Sequence, residues 1–183
     1  MYWIIMLFDE NTEGQIKSLW NELSNEKISF YGEKFQDARP HITLGSYKNL
    51  NKMEFIKDLE IFYDRKPRMN VTFNTVGSFL NYGTLFLQPT VTSELLQFHR
   101  LHHEGFIKYS DHANPLYLPG KWIPHCTLAN KLEPDILSKA FQYCLEHSEK
   151  IAGEIVEIGL IEMSVGESKG SLDAPLVFSK KLI

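Results

Sequence analysis

Two short segments of this chain carry the same side chains in the same order. Pro40-His41-Ile42-Thr43-Leu44 and Pro124-His125-Cys126-Thr127-Leu128 differ only at their central residue. They lie about half a chain length apart. The residue frequencies give a chance second copy a probability of roughly one in several hundred. In an extended strand the side chains at i and i+2 point to one face. His41 and Thr43 therefore share a face, with Ile42 and Leu44 behind them. His125 and Thr127 do the same against Cys126 and Leu128. Where two such faces meet, two imidazoles and two hydroxyls surround one point. Imidazoles titrate near neutrality, so one serves as general base and the other as general acid. Hydroxyls donate to oxygens on which negative charge develops. The set suits in-line displacement at phosphorus without a metal, each positioned acid or base contributing ~10²–10⁴-fold.

The elements that must position these residues are legible in the hydrophobic pattern. Residues 2–8 are apolar and read as a first strand rather than a signal peptide. Ile16, Leu19, Trp20 and Leu23 recur at helical spacing, which predicts a helix over about 12–24. The first motif follows as a strand. Asn51 with Glu54 marks the start of a helix whose buried stripe is Phe55, Ile56, Leu59, Phe62 and Tyr63. Met69 to Leu80 and Thr84 to Leu87 read as a hairpin around Asn81-Tyr82-Gly83. The order then begins again: a helix over about 92–106, a loop of about a dozen residues, and a strand over Trp122 to Ala129 that holds the second motif. A helix opening at Pro134 follows. A long strand over Ile151 to Val165, a turn over Gly166 to Gly170 and a closing strand over Leu176 to Leu182 complete the chain. Strand, helix, strand, helix, strand occurs twice with no linker between. The expected fold is α+β and bilobal, with pseudo-twofold lobes of about 1–83 and 84–183. Two mainly antiparallel sheets, flanked by helices, would enclose a central cleft.

The doubled His-x-Thr in a chain of this length and element order resembles the 2H phosphoesterase superfamily, which includes 2′-5′ RNA ligase-like proteins and RNA 2′,3′-cyclic phosphodiesterases. The resemblance spans essentially the whole chain. It implies a V-shaped cleft and metal-independent hydrolysis of a cyclic or 2′-5′ phosphodiester, with no cofactor. It also implies that His41 and His125 are the catalytic pair, and that Thr43 and Thr127 bind phosphate oxygens. His125 would deprotonate water and His41 protonate the leaving ribose oxygen, or the reverse. The expected partner is a small cyclic phosphodiester or an RNA terminus. Ligation by the same residues, and binding without turnover, are the alternatives.

Other residues enter as flanking candidates. Arg39 and Lys121 precede the two motifs, and Arg39 has the bidentate fork of a phosphate clamp. Trp122, Tyr117 and Tyr47 are candidates for base stacking. The loop from Asp111 through Asn114 to Gly120 precedes the second motif and is placed to lie over a cleft. His99 and His103 stand at i, i+4 on a helix, the spacing of a metal pair, but Arg100-Leu101-His102 lies between them and lacks the Glu of a zinc hydrolase. The expectation is a partly exposed helix face and no metal site. His112 and His147 show no partner signal.

Composition sets the outer limits. The 183 residues are 43% hydrophobic and 23% charged, which excludes a disordered chain. The net charge of −4 argues against a grip on long duplex nucleic acid. No apolar run approaches the ~18 residues of a membrane span. Cys126 and Cys144 lack metal-ligand spacing and read as reduced thiols of a cytoplasmic protein.

Overall fold

The computed structural model describes residues 1–34, 38–165 and 172–183. β1 (Tyr2–Phe8) leads into α1 (Glu10–Asn25), β2 (His41–Tyr47), α2 (Lys52–Phe62) and the hairpin of β3 (Met69–Phe79) and β4 (Thr84–Pro89). Then come α3 (Ser93–Gly105), β5 (Cys126–Ala129), α4 (Pro134–His147) and β6 (Ile151–Glu162). The short β7 (Ser164–Val165) and β8 (Leu172–Asp173) pair with each other, and β9 (Leu176–Lys181) follows. The predicted turn at 166–170 lies outside the described residues.

Local chemistry explains the helix starts. The Asp9 carboxylate accepts the Thr12 backbone N–H at 3.0 Å, Asn51 accepts from Glu54, and Thr92 accepts from Leu95. Pro134 opens α4, where its missing N–H costs nothing. The second motif strand is shorter than its apolar run. Lys121 and Trp122 turn their backbone N–H groups back onto the Leu118 carbonyl, and Pro124 has none to offer a ladder. Pairing therefore begins only at Cys126.

The strands are antiparallel, as expected, but the two sheets expected to flank a cleft are one seven-stranded sheet. Its order is β2-β1-β6-β3-β4-β5, with β9 also paired to β6. The reason is the length of β6. Its residues 155–162 pair with β1 and its residues 151–155 with β3, so one strand is the spine of both parts. The halves of the chain are thereby interleaved: β6 and β9, from late in the sequence, complete the part that holds β1 and β2.

β2 and β5, the motif strands, are the two end strands of the sheet, and the sheet curls until they approach each other. A free edge leaves backbone carbonyls without partners. Two indoles fill the seam reciprocally. Trp122, just before β5, donates Nε1–H to the Thr43 carbonyl at 2.9 Å. Trp20, on α1, donates to the Thr127 carbonyl at 3.1 Å.

The main core lies between the sheet and its helices, around Ile4, Met6, Phe8, Ile42, Leu44, Leu85, Leu87 and Leu128. A small second cluster of Ile5, Leu7 and Ile161 lies on the opposite face. α3 buries its histidines instead of exposing them, because this helix closes the core beside β2. His102 is fully buried, with Nε2 at 2.8 Å from the Tyr47 hydroxyl and Nδ1 at 2.8 Å from the Tyr63 hydroxyl. His99 stacks on Trp122 at 4.0 Å and donates Nε2–H to the Tyr117 carbonyl. His103 packs against both other rings. Burial lowers all three, His99 to about 4.

Two consequences are measurable. Trp20→Phe and Trp122→Phe drop the N–H and shrink the bicyclic indole to a phenyl ring, so each should cost more in urea unfolding than the about 1 kcal/mol of the lost hydrogen bond. Between pH 6.5 and 4 the unfolded chain binds protons that buried neutral His99 does not, so stability should fall with pH. The loss from His99 alone should reach about 3 kcal/mol near pH 4. Thermal melts across this range should show a shallower slope for His99→Gln.

Candidate active site

Both motif histidines are held by the same device. His41 donates Nδ1–H to the Arg39 carbonyl at 2.7 Å, and His125 donates Nδ1–H to the Ile123 carbonyl at 2.8 Å. A carbonyl can only accept, so the bond assigns the proton to Nδ1 and leaves Nε2 as the working nitrogen of each ring. Pro40 and Pro124 lie between clamp and ring. Proline steers the residue before it to an extended backbone and contributes no N–H, so the carbonyl of that residue is available to the imidazole.

The strands place the two threonines beside the rings. His41 pairs across the ladder with Leu7, and Thr43 with Ile5. Thr127 pairs with Phe86. Immediately after each threonine the register slips by one residue. Thr43 and Gly45 face consecutive residues of β1, leaving Leu44 extra; Thr127 and Ala129 face consecutive residues of β4, leaving Leu128 extra. The two motifs thus carry the same β-bulge at the same leucine, and both leucines are fully buried. The bulge reverses the alternation beyond it. It explains why Tyr47, expected on the His41 face as a stacking group, is instead in the core. It is 1% exposed and its hydroxyl is spent on His102.

The third strand of each half completes the row. Thr43, Ile5 and Gly159 lie across one row, and Thr127, Phe86 and Gly77 across the other. A Cβ on Gly77 would fall 2.6 Å from Phe86, and one on Gly159 would fall 3.0 Å from Ile5. Gly77 makes room for Phe86 beside Thr127, and Gly159 makes room first for Leu176 of β9, at 2.6 Å, and then for Ile5 beside Thr43. The flanks differ: aliphatic beside Thr43, aromatic beside Thr127. Phe79 and Phe86 pack on the His125 ring at 4.8 and 5.3 Å.

Desolvation lowers both catalytic candidates, and the charge of His125 lowers His41 further. The rings are near enough for one protonation to oppose the other. Tyr31 is a neighbour of the second motif that no sequence signal marked. It packs on Trp20, its hydroxyl reaches Thr127, and burial pushes it up to about 12. It sits in a single turn, Tyr31–Glu33, within a polar stretch without periodicity.

The remaining candidates are placed as follows. The guanidinium of Arg39 is taken by Glu13 and Glu157. Lys121 is exposed. Trp122 is half-buried, with its N–H on Thr43 and a ring face on His99. Tyr117 is half-buried in the turn that receives His99. Among the described residues no group of three or more His, Cys, Asp or Glu is arranged to hold a metal ion, and both cysteines are free and buried. No helix there is long and apolar enough to cross a membrane.

No curated protein matches the sequence. Solved structures do share the fold. LigT of E. coli, crystallised with 3′-AMP, superposes with a TM-score of 0.65 at 13% identity, covering 99% of this chain and 97% of that one. TT0787 of Thermus thermophilus gives 0.64 at 12% identity with the same coverage. A protein described as a phosphoesterase gives 0.62 at 14% identity, again over 99% and 97%. The sequence itself matches the family model for the 2′-5′ RNA ligase superfamily over residues 8–167, a span that contains both His-x-Thr strands. The chain belongs to the 2′-5′ RNA ligase superfamily.

Proposed function

We propose that this protein is a metal-independent phosphodiesterase that hydrolyses a 2′,3′-cyclic phosphate, on a nucleotide or at an RNA end. The supporting observation is the matched pair of Nδ1 clamps, which leaves two Nε2 atoms without a hydrogen-bond partner among the described residues, beside two threonines on one face of the motif strands. One Nε2 takes a proton from water as its oxygen attacks phosphorus. The other imidazolium gives its Nε2 proton to the ribose oxygen as the P–O bond breaks, so the product is a phosphate monoester. Charge on the non-bridging oxygens is met by the Thr43 and Thr127 hydroxyls. Roles follow from which ribose oxygen faces which ring: departure of O2′ leaves a 3′-phosphate. LigT has been solved with 3′-AMP and with phosphate, which supports a nucleotide phosphate ligand for this cleft.

His41→Ala and His125→Ala should each lower kcat on the nucleoside 2′,3′-cyclic monophosphates by ~10²–10⁴-fold. Circular dichroism should show both variants folded, and EDTA should leave the wild type unaffected. Full activity in either variant removes the assignment. An RNA with a 2′,3′-cyclic end, offered with a 5′-hydroxyl strand, should give mainly hydrolysis; joined product as the main outcome would favour the ligase.

The pH profile carries a sign. Both rings lie below the ordinary histidine value of 6.5, so the free enzyme loses its acid as pH rises through that region. At lower pH it loses its base. The coupled pair should give a bell-shaped kcat/KM with its maximum on the acidic side of neutrality, declining toward pH 8. A maximum above pH 8 would overturn the two-histidine scheme.

A further inference from the structure

We infer that Arg39 is a positioning residue for His41, tied in place by Glu13 and Glu157, and that it is not a ligand of the substrate phosphate. Its catalytic consequence rests on the two-histidine reading above; its geometry stands separately.

The guanidinium is committed on both sides. Nε and Nη2 grip the Glu13 carboxylate at 2.9 and 2.8 Å, and Nη1 holds Glu157 at 3.0 Å. A phosphate could claim this fork only by displacing a carboxylate. Glu157 is the more demanding partner, because it is 4% exposed and lies on the same sheet face as His41, in the cross-strand row His41, Leu7, Glu157, Lys181. Stripping one partner from a buried carboxylate is strongly unfavourable. Lys181 is its other cation, at 2.9 Å.

The same residue supplies the clamp. Arg39 lies outside any strand, and its carbonyl fixes the Nδ1 proton of His41. The direction of that carbonyl depends on backbone torsions that no ladder restrains. A side chain bonded to α1 through Glu13 and to β6 through Glu157 removes this freedom. The equivalent residue before β5 is Ile123, which is 49% exposed and has no polar group to anchor it. There the neighbouring Trp122 does the anchoring, through His99 and the Thr43 carbonyl. The His41 clamp is therefore held ionically and the His125 clamp aromatically.

The test compares Arg39→Ala with wild type on the four nucleoside 2′,3′-cyclic monophosphates, with inorganic phosphate as inhibitor and imidazole ¹⁵N NMR on the resting protein. A misdirected base or acid should cost about 10- to 100-fold in kcat. KM and the phosphate inhibition constant should stay within about twofold. The His41 ring signals should shift while those of His125 stay, and Arg39→Lys or added guanidinium should recover part of the activity. If Arg39→Ala does not fold, Glu157→Gln, which loosens one anchor, should show the same His41-selective shift in smaller degree. A tenfold rise in KM and in the phosphate inhibition constant with unchanged kcat would make Arg39 a phosphate clamp. Unchanged kinetics and unchanged His41 signals would make it a surface ion pair, and either result overturns the inference. Should the wild type hydrolyse none of the substrates, the proposed function fails, and the His41 signals still decide the positioning role.

Discussion

The structure turns on the meeting of two free edges of one sheet. The far end of β2 is covered by the segment 112–114, with Asn114 N–H on the Ser46 carbonyl at 2.7 Å and Lys48 N–H on the His112 carbonyl at 2.9 Å; around the motif threonines, β2 and β5 would each expose unpaired backbone groups. The reciprocal indole bonds, Trp122 to the Thr43 carbonyl and Trp20 to the Thr127 carbonyl, resolve that exposure and set how the edges approach. An edge left open invites pairing with another chain. Here the side chains that close it also bring the two His-x-Thr faces together, so edge protection and site assembly are one event. The buried histidines of α3 belong to the same construction, since His99 supports the Trp122 ring and His102 ties Tyr47 to Tyr63.

Around that seam the two halves agree in backbone and differ in side chain. Agreement lies in the carbonyl clamp on Nδ1, the proline within it, the bulge at Leu44 or Leu128, and the glycine two strands away. Each of these sets a position. Difference lies in what borders the position. Thr43 has Ile5 beside it and a charged group anchoring its histidine; Thr127 has Phe86 beside it, with Phe79 against its histidine and Tyr31 at its hydroxyl. Under the proposed function, a substrate between the motifs would meet equivalent groups at phosphorus and unlike walls on either side.

The electrostatics follow from the acidic balance of the chain. Arg39, two residues before His41, and Lys181, in its cross-strand row, already face Glu157. At the motifs themselves stand the Thr43 and Thr127 hydroxyls and the two imidazoles. Both imidazoles are lowered by burial, so their positive charge is most available when an anionic phosphate is present to stabilise it.

The elements and the candidate pair could be read in the chain because they depend on short-range periodicity and on a repeated motif. The helices stand where the apolar spacing and the start signals at Asn51 and Pro134 put them, and His41, Thr43, His125 and Thr127 were marked by a repeated pentapeptide. Which strands pair was not legible. A twelve-residue β6 reads as one long strand, and nothing local says that its ends serve different neighbours. The same limit explains Tyr47, whose face depends on a bulge created by cross-strand register, and Arg39, whose charge faces carboxylates 26 and 118 residues away in sequence. It also hid Tyr31, which has no motif and reaches Thr127 only because the sheet curls. Sequence alone determined which side chains repeat on one face of each motif strand and so are the candidates for acid–base chemistry, since side-chain type and strand alternation are local. Tertiary structure alone decided which of their neighbours are free to touch a substrate, since that depends on contacts between residues far apart in the chain.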